Sequence, residues 1–508
     1  MLARLHSGLL QGIDASPCEV EIDINDKDIA TRRVVGLPDA AVHESLERVE
    51  AALLNSGYAF PAGRTLINLA PADVRKEGPA YDLPIAVGLL INAGVIDLNR
   101  LEGINPQRFI IAGELALDGR VRPIRGAIAL AAMARDQGMQ GIILPQANAR
   151  EAAIVQDIEV LGVATLAQLV GICNGQLPPE FEPPPDVAGL LATATPPVDF
   201  AEVRGQEAVK RAIVVAAAGS HNLLMIGPAG SGKTMMAKAL PGVLPPLTPN
   251  EAIELTRIYS SAGKLEEGQG LVATRPVRTP HHTSSSASIV GGGIVPKPGE
   301  ISLAHHGVLF LDELPEFPRQ VLETLRQPLE DHVVTIARAR ATLKFPASFM
   351  LVAAMNPTPK GSKDPGEAGQ RAMDRYLSRL SGPLLDRIDL HVEAPAVPFA
   401  KLRSERAGAS TAELREQVLA ARGRSSRRQG ADTPNARLRG KQLDELAPMT
   451  SQASAILGQA LTELGLSARA YDKIRRVART IADLTGDDVL EVAHIAEAIS
   501  YRLLDRNR

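Results

Sequence analysis

Residues 221–240 read HNLLMIGPAGSGKTMMAKAL, an apolar strand, a glycine-rich turn and a helix in immediate succession. The turn, Gly227-Pro228-Ala229-Gly230-Ser231-Gly232-Lys233-Thr234, matches the phosphate-loop pattern with its required context on both sides. Its glycines let backbone N–H groups curl around phosphate oxygens, and the following helix turns its positive end toward them. Lys233 then reaches the β and γ oxygens while Thr234 offers a hydroxyl to magnesium. The expectation is an α/β core that binds ATP and Mg2+ at the carboxyl ends of parallel strands.

Two further strands belong to the same edge. GVLFLDEL carries four apolar residues into Asp312 and Glu313, two carboxylates at the end of a buried strand. Asp312 is expected to complete the magnesium shell and Glu313 to orient or deprotonate the attacking water. SFMLVAAMNP ends in Asn356, whose amide is placed to hold that water.

The rest of the chain is organised around this core. The proline-rich stretch 176–198 reads as an extended spacer. Before it, CEVEIDI, RTLINLA, FIIAGEL and GIILP alternate with helical stretches at 39–56 and 126–138, the pattern of an α/β or α+β domain over 1–175. The core follows over 199–398, then a polar connector over 399–440 whose arginines Arg422, Arg424, Arg427 and Arg428 are expected to be mobile, and a helical bundle over 441–508. The formal net charge of −3 means that any polyanion site must come from local clustering. With Cys18 and Cys173 as the only cysteines and no run near the ~20 apolar residues of a membrane span, a cytoplasmic protein is expected, with no membrane partner.

The three strand-end motifs resemble the Walker A, Walker B and sensor 1 elements of the AAA+ ATPases. Arg387 in SGPLLDRIDLH resembles the arginine finger that one subunit inserts into its neighbour's site, and Arg469 in LSARAYDKIRRVART resembles the sensor 2 arginine of the C-terminal helical lid. Arg375, Arg379 and Arg475 are nearby alternatives. A guanidinium is suited to charge spreading over the γ-phosphate oxygens, and a finger supplied in trans makes hydrolysis depend on ring assembly.

The interval between Lys233 and Asp312 is longer than one helix and one strand need, and the surplus holds RPVRTPHHTSSSASIVGGGIVPKPGEISLAHHG. HVVTIARARATLKFPASF then reads as a hairpin with Arg338, Arg340 and Lys344 on one face. These segments resemble the helix-2 insert and presensor hairpin of the branch that contains magnesium chelatase motors and replicative helicases. The fuller string, with AAMNP and SGPLLDRIDLH, resembles the YifB/ComM family of magnesium-chelatase-like AAA+ ATPases. That resemblance implies a homo-hexameric ring that moves on branched or single-stranded DNA without sequence preference, as a branch migration helicase in homologous recombination or the integration of transforming DNA. No aromatic residue lies between Tyr259 and Phe310, where unfoldases of this superfamily carry an aromatic pore loop; Lys264, Arg275, Arg278 and Lys297 stand there instead. Cations contact phosphates without reading sequence. Arg275, Arg278, Lys297, Arg338, Arg340 and Lys344 are therefore the expected DNA contacts. The alternatives are a tetrapyrrole chelatase motor and a non-proteolytic remodelling protein. The paired histidines His281-His282 and His305-His306 read poorly as one metal site, since neighbours on an extended chain point apart. The family's cysteine-rich insertion after the sensor 1 Asn-Pro is replaced here by a stretch without cysteine.

Residues 1–175 resemble the proteolytic domain of Lon, a ribosomal S5 domain 2-like α+β fold. Its two turns correspond to GPAYDLP and RPIRGAI, but Ala80 stands at the serine position. No serine occurs between Ser56 and Ser220 and no lysine between Lys76 and Lys210, so neither half of a Ser-Lys dyad can be built.

Overall fold

The computed structural model describes residues 2–504 apart from 26–30, 99–102, 195–197, 267, 294–295, 339–340, 358–375, 377, 398–407, 432 and 503. The chain forms two compact units, Met1–Ala192 with Pro249–Ala273, and Thr193–Thr248 with Thr274–Arg508.

The first unit is built on seven strands: β1 (Leu2–Gln11), β2 (Asp14–Asn25), β3 (Arg32–Val35), β4 (Arg64–Ala70), β5 (Phe109–Ile111), β6 (Gly141–Pro145) and β7 (Glu159–Val163). They lie in the order β3-β4-β2-β1-β5-β6-β7, antiparallel between β1, β2 and β4 and parallel elsewhere. The pattern of each strand follows its place. β2 alternates, burying Cys18, Val20 and Ile22 while Glu19, Glu21 and Asp23 face away, whereas all of β5 and β6 is buried, as a parallel strand covered on both faces must be. Helices α1 (Ser45–Asn55) and α2 (Asp82–Asn92) supply the apolar cover, and α3 (Ala127–Asp136) packs on β1 and β6. The proline-rich spacer is less extended than expected, since Phe181 bridges to Leu161 of β7 and Val187–Ala192 forms a short helix.

The core expected over 199–398 is interrupted. Residues 249–273 group with the first unit, and their helix Pro249–Ala262 packs along α3. The attachment is partly polar: Arg257 pairs with Asp14, and the Ser260 carbonyl accepts from Gly126 N at 3.4 Å.

The second unit holds β8 (Leu223–Ile226), β9 (Val277–Arg278), β10 (Val308–Leu311), β11 (Met350–Met355) and β12 (Leu390–Glu393) in an all-parallel sheet of order β9-β10-β11-β8-β12. Helix α4 (Glu207–Gly219) precedes β8 and α5 (Lys233–Ala239) follows the glycine turn. The C-terminal helices α6 (Thr411–Gln429), α7 (Ser451–Glu463), α8 (Ala468–Thr485) and α9 (Val492–Ser500) share one apolar core with the sheet, through residues such as Val418, Ile474, Val477, Ile481 and Ile495.

Two arginine-based expectations change. The run 422–430 is not a mobile connector but the second half of α6, which starts from a Ser410/Glu413 capping box. Arg428 binds the buried Asp483 carboxylate at 2.6 and 2.9 Å, Arg424 donates to the Asp483 carbonyl at 2.5 Å, and Arg422 to the Ala217 carbonyl at 3.0 Å. A buried carboxylate needs such counterions, and only Arg427 of the four is exposed. The hairpin forms over Val333–Arg338 and Ala341–Pro346, but its register opposes Thr335 to Lys344 and Arg338 to Ala341. Opposed residues share a face, so position 344 falls with 335 and 337, while position 338 falls with the buried Val334, Ile336 and Phe345. The single basic face is therefore not formed, and Arg340 lies outside the described residues.

Candidate nucleotide site

The glycine turn sits at the carboxyl edge of the five-stranded sheet, wedged between neighbouring strand exits. Gly227 N donates to the Met355 carbonyl at 3.1 Å, and a Cβ at Gly227 would lie 2.0 Å from the Ala394 carbonyl oxygen, so only glycine fits. Gly230 and Gly232 take φ of 76° and 88° with open space where side chains would stand, which leaves a backbone cradle in front of them. Lys233 Nζ donates to the Gly227 and Pro228 carbonyls at 2.7 and 2.8 Å. Burial lowers its pKa, against the opposing pull of Asp312 and Glu313.

Thr234 Oγ1 donates to Asp312 Oδ2 at 2.8 Å, so the two expected magnesium ligands already touch. Hydroxyl and carboxylate oxygens are the donors that magnesium prefers, and the residues fit the ion. Glu313 adopts φ 52°, a left-handed conformation that costs a non-glycine residue about 1–2 kcal/mol, and its carboxylate stands 3.4 Å from His282 Nδ1. Asn356 follows directly on Met355, the residue bonded to the glycine turn, and is half-buried there.

Two neighbours carried no sequence signal of their role. Gln206, at φ 60° before α4, donates from Nε2 to the Ser231 carbonyl at 3.1 Å and the Pro395 carbonyl at 2.6 Å, tying the glycine turn to the exit of β12. His282 is visible in the sequence only as one of a histidine pair, because its partner Glu313 stands far along the chain, just past the end of β10.

Arg387 and Arg469 lie elsewhere. Asn222, the residue before β8, donates from Nδ2 to the Arg387 carbonyl at 2.8 Å, and Asp389 N donates to the Asn222 carbonyl at 3.0 Å. This is the amino edge of the sheet, one strand length from the glycine turn, or about 13 Å at ~3.3 Å per residue. The Arg387 guanidinium meets the Glu330 carboxylate, the Arg326 carbonyl at 3.2 Å and the Pro383 carbonyl at 2.5 Å. Arg469 stands at the same edge, 3.5 Å from Asp386, and is largely exposed. Of the alternatives, Arg379 Nη1 donates to both carboxylate oxygens of Glu316, Arg475 pairs with Asp444, and Arg375 lies outside the described residues.

The expected DNA contacts are dispersed. Arg275 fans over the carbonyls of Pro245, Pro246 and His306 at 2.6–3.2 Å, and Arg278 is bidentate to Glu300 at 2.6 and 2.9 Å. Lys297 and Lys344 are exposed. In the first unit Ala80 offers no hydroxyl, and the buried Lys76 donates to the carbonyls of Pro71 and Val74. No described helix is long and apolar enough to cross a membrane.

Three family models match: "Magnesium chelatase, subunit ChlI" over 199–402, "Subunit ChlI of Mg-chelatase" over 20–148, and "Magnesium chelatase, subunit ChlI C-terminal" over 408–502. The chain is 42% identical to the competence protein ComM of Haemophilus influenzae over 511 residues, covering 99% of this chain and 98% of that protein. It is 41% identical to protein YifB of Escherichia coli, with the same coverage of both chains. The magnesium-chelatase 38 kDa subunit of Rhodobacter capsulatus is 24% identical over 204 residues, 36% of this chain and 56% of the subunit. Full-length likeness, a phosphate loop on a parallel sheet and a strand-end carboxylate pair together make this chain a member of the YifB/ComM family of magnesium-chelatase-like AAA+ proteins.

Proposed function

We propose that the protein is a magnesium-dependent ATPase that assembles as a homo-hexameric ring and uses hydrolysis to move DNA, driving branch migration of DNA junctions in homologous recombination or the integration of transforming DNA. The observation that carries the ring is the separation within one sheet. The carboxyl edge holds Lys233, Thr234, Asp312, Glu313 and Asn356, whereas Arg387 and Arg469 stand at the amino edge. Arg387 and Arg469 thus stand away from the site of their own chain, and a second copy in head-to-tail contact would bring them to a nucleotide.

In that ring Lys233 leaves the Gly227 and Pro228 carbonyls for the phosphate oxygens. Thr234 and Asp312 hold magnesium, which neutralises phosphate charge when bound. Glu313, oriented by His282, takes the proton of the attacking water, and Asn356 fixes that water's position. Arg387 of a neighbour balances charge on the γ-phosphate oxygens.

DNA as the cargo is supported by likeness to a competence protein over the whole chain, where likeness to the chelatase subunit covers about a third. Lys297 and Lys344, exposed on the insert and the hairpin, are the contacts we assign to phosphates. The Lon-like first domain, without a serine–lysine pair, is assigned to assembly or partner binding. A labelled Holliday-junction assay with ATP, without it, and with Glu313→Gln tests the cargo. Dissociation only with ATP and the unaltered chain supports the reading; intact junctions throughout, together with metallation of a porphyrin in the presence of chelatase partner subunits, replace it with a chelatase motor.

A further inference from the structure

We infer that Lys473 of α8 is a positioning residue for Arg387, and that the C-terminal helix thereby aims the guanidinium given to the neighbouring subunit. This rests on the reading of Arg387 as a trans-acting group. Lys473 is 7% exposed, and its Nζ donates to the carbonyls of Asp386 and of Ile388, the latter at 3.2 Å, so it grips the backbone on both sides of Arg387. Arg502, 2% exposed, adds donors to the Ile388 and Asp389 carbonyls at 2.9 and 3.1 Å. The Asp389 carboxylate stands 3.9 Å from Lys473 Nζ and accepts from Asn222 N at 3.0 Å, which ties the clamp to the start of β8. Burying an ammonium is costly unless it is paired and hydrogen-bonded, and here the Asp386 and Ile388 carbonyls that accept from it belong to the segment that carries Arg387.

The arrangement along α8 is regular. Arg469, Lys473 and Thr480 recur at helical spacing on one face, meeting the Asp386 carboxylate, the Asp386 and Ile388 carbonyls and His221 (2.8 Å) in turn. The Arg387 side chain is itself held within the chain by Glu330 and two carbonyls. To reach a neighbour's phosphate it must leave these partners, and the Lys473 bonds then define where its Cα stays. A misplacement near 1 Å at a reacting group costs on the order of 10² in rate.

The test uses full-length protein under ring-forming conditions. Lys473→Met should keep ATP affinity and KM while kcat falls on the order of 10²-fold. Mixed with Glu313→Gln subunits, whose Arg387 is sound, Lys473→Met should regain turnover above the sum of the two alone. Mixed with Arg387→Ala it should not, because both lesions strike the same donated group. Recovery with Arg387→Ala but not with Glu313→Gln would mean that Lys473 serves its own subunit's site, and overturns the proposal. Wild-type kcat in Lys473→Met, with Arg387→Ala inactive, also overturns it while leaving the trans reading intact; full turnover in Arg387→Ala sinks both. If Lys473→Met does not assemble, Lys473→Gln, which keeps an uncharged N–H donor group, goes through the same pairings and the same pattern decides.

Discussion

The two edges of the five-stranded sheet hold equally polar side chains in opposite ways. At the carboxyl edge the groups come from short contiguous motifs, and they are poised against backbone and one another: Lys233 on two loop carbonyls, Thr234 on Asp312, Glu313 on His282. At the amino edge they come from segments far apart in sequence, and helix α8 holds them in place. A cradle made by consecutive backbone N–H groups needs only its own residues, whereas the side chains of the amino edge depend on a helix distant in sequence to fix their backbone.

The sharpest way to break that contrast is to remove Arg387. Arg387→Ala should lower kcat by about 10³ or more with ATP binding retained, and mixing it with Lys233→Ala subunits should restore part of the turnover in a coupled ATPase assay. Full activity from a monomer would end the distinction between donor and acceptor edges. Glu313→Gln should bind ATP, read by equilibrium binding of a fluorescent nucleotide, without turning it over.

The mounting itself can be tested at Asp483, which serves Arg428, Arg479 and Asn435 inside the C-terminal helices. Asp483→Ala leaves buried guanidiniums without their anion and should destabilise the protein by about 3–5 kcal/mol, measured by urea unfolding. Arg427→Ala, on the exposed position of the same helix, should stay within about 0.5 kcal/mol of wild type.

A smaller effect is expected at His282. His282→Ala frees Glu313 from its one described side-chain neighbour within ion-pair distance, and kcat should fall about tenfold without a change in ATP affinity, read in the same two assays. An unchanged kcat would show that φ 52° at Glu313 alone orients the carboxylate. Least of all, Lys297→Ala with Lys344→Ala removes at most two phosphate contacts and should flatten the slope of log K against log salt by up to about 2, measured by DNA-binding anisotropy. The same substitutions at Arg275 or Arg278 should act through folding stability, because those guanidiniums are bound within the chain.

By itself the sequence determined the carboxyl edge: GPAGSGKT between an apolar strand and a helix, LFLDEL and VAAMNP name both the strands and the polar residues at their ends. Such motifs are legible because their geometry is local, a glycine where the chain passes within 2.0 Å of a carbonyl and a carboxylate where a strand stops. Tertiary structure decided the rest. The arginine-dense run 422–430 looks solvated until Asp483, far along the chain, is brought under it. Arg338 and Lys344 look like one basic face until the hairpin register separates them, because a strand's face is set by its partner as well as by its own alternation. Residues 249–273 look like part of the ATPase core until their helix, burying Ala252, Leu255 and Ile258, packs along α3. Lys473, finally, looks like one more cation on an amphipathic helix, and acquires its role only where packing buries it against the carbonyls around Arg387, since a buried ammonium must take whatever acceptors the fold presents.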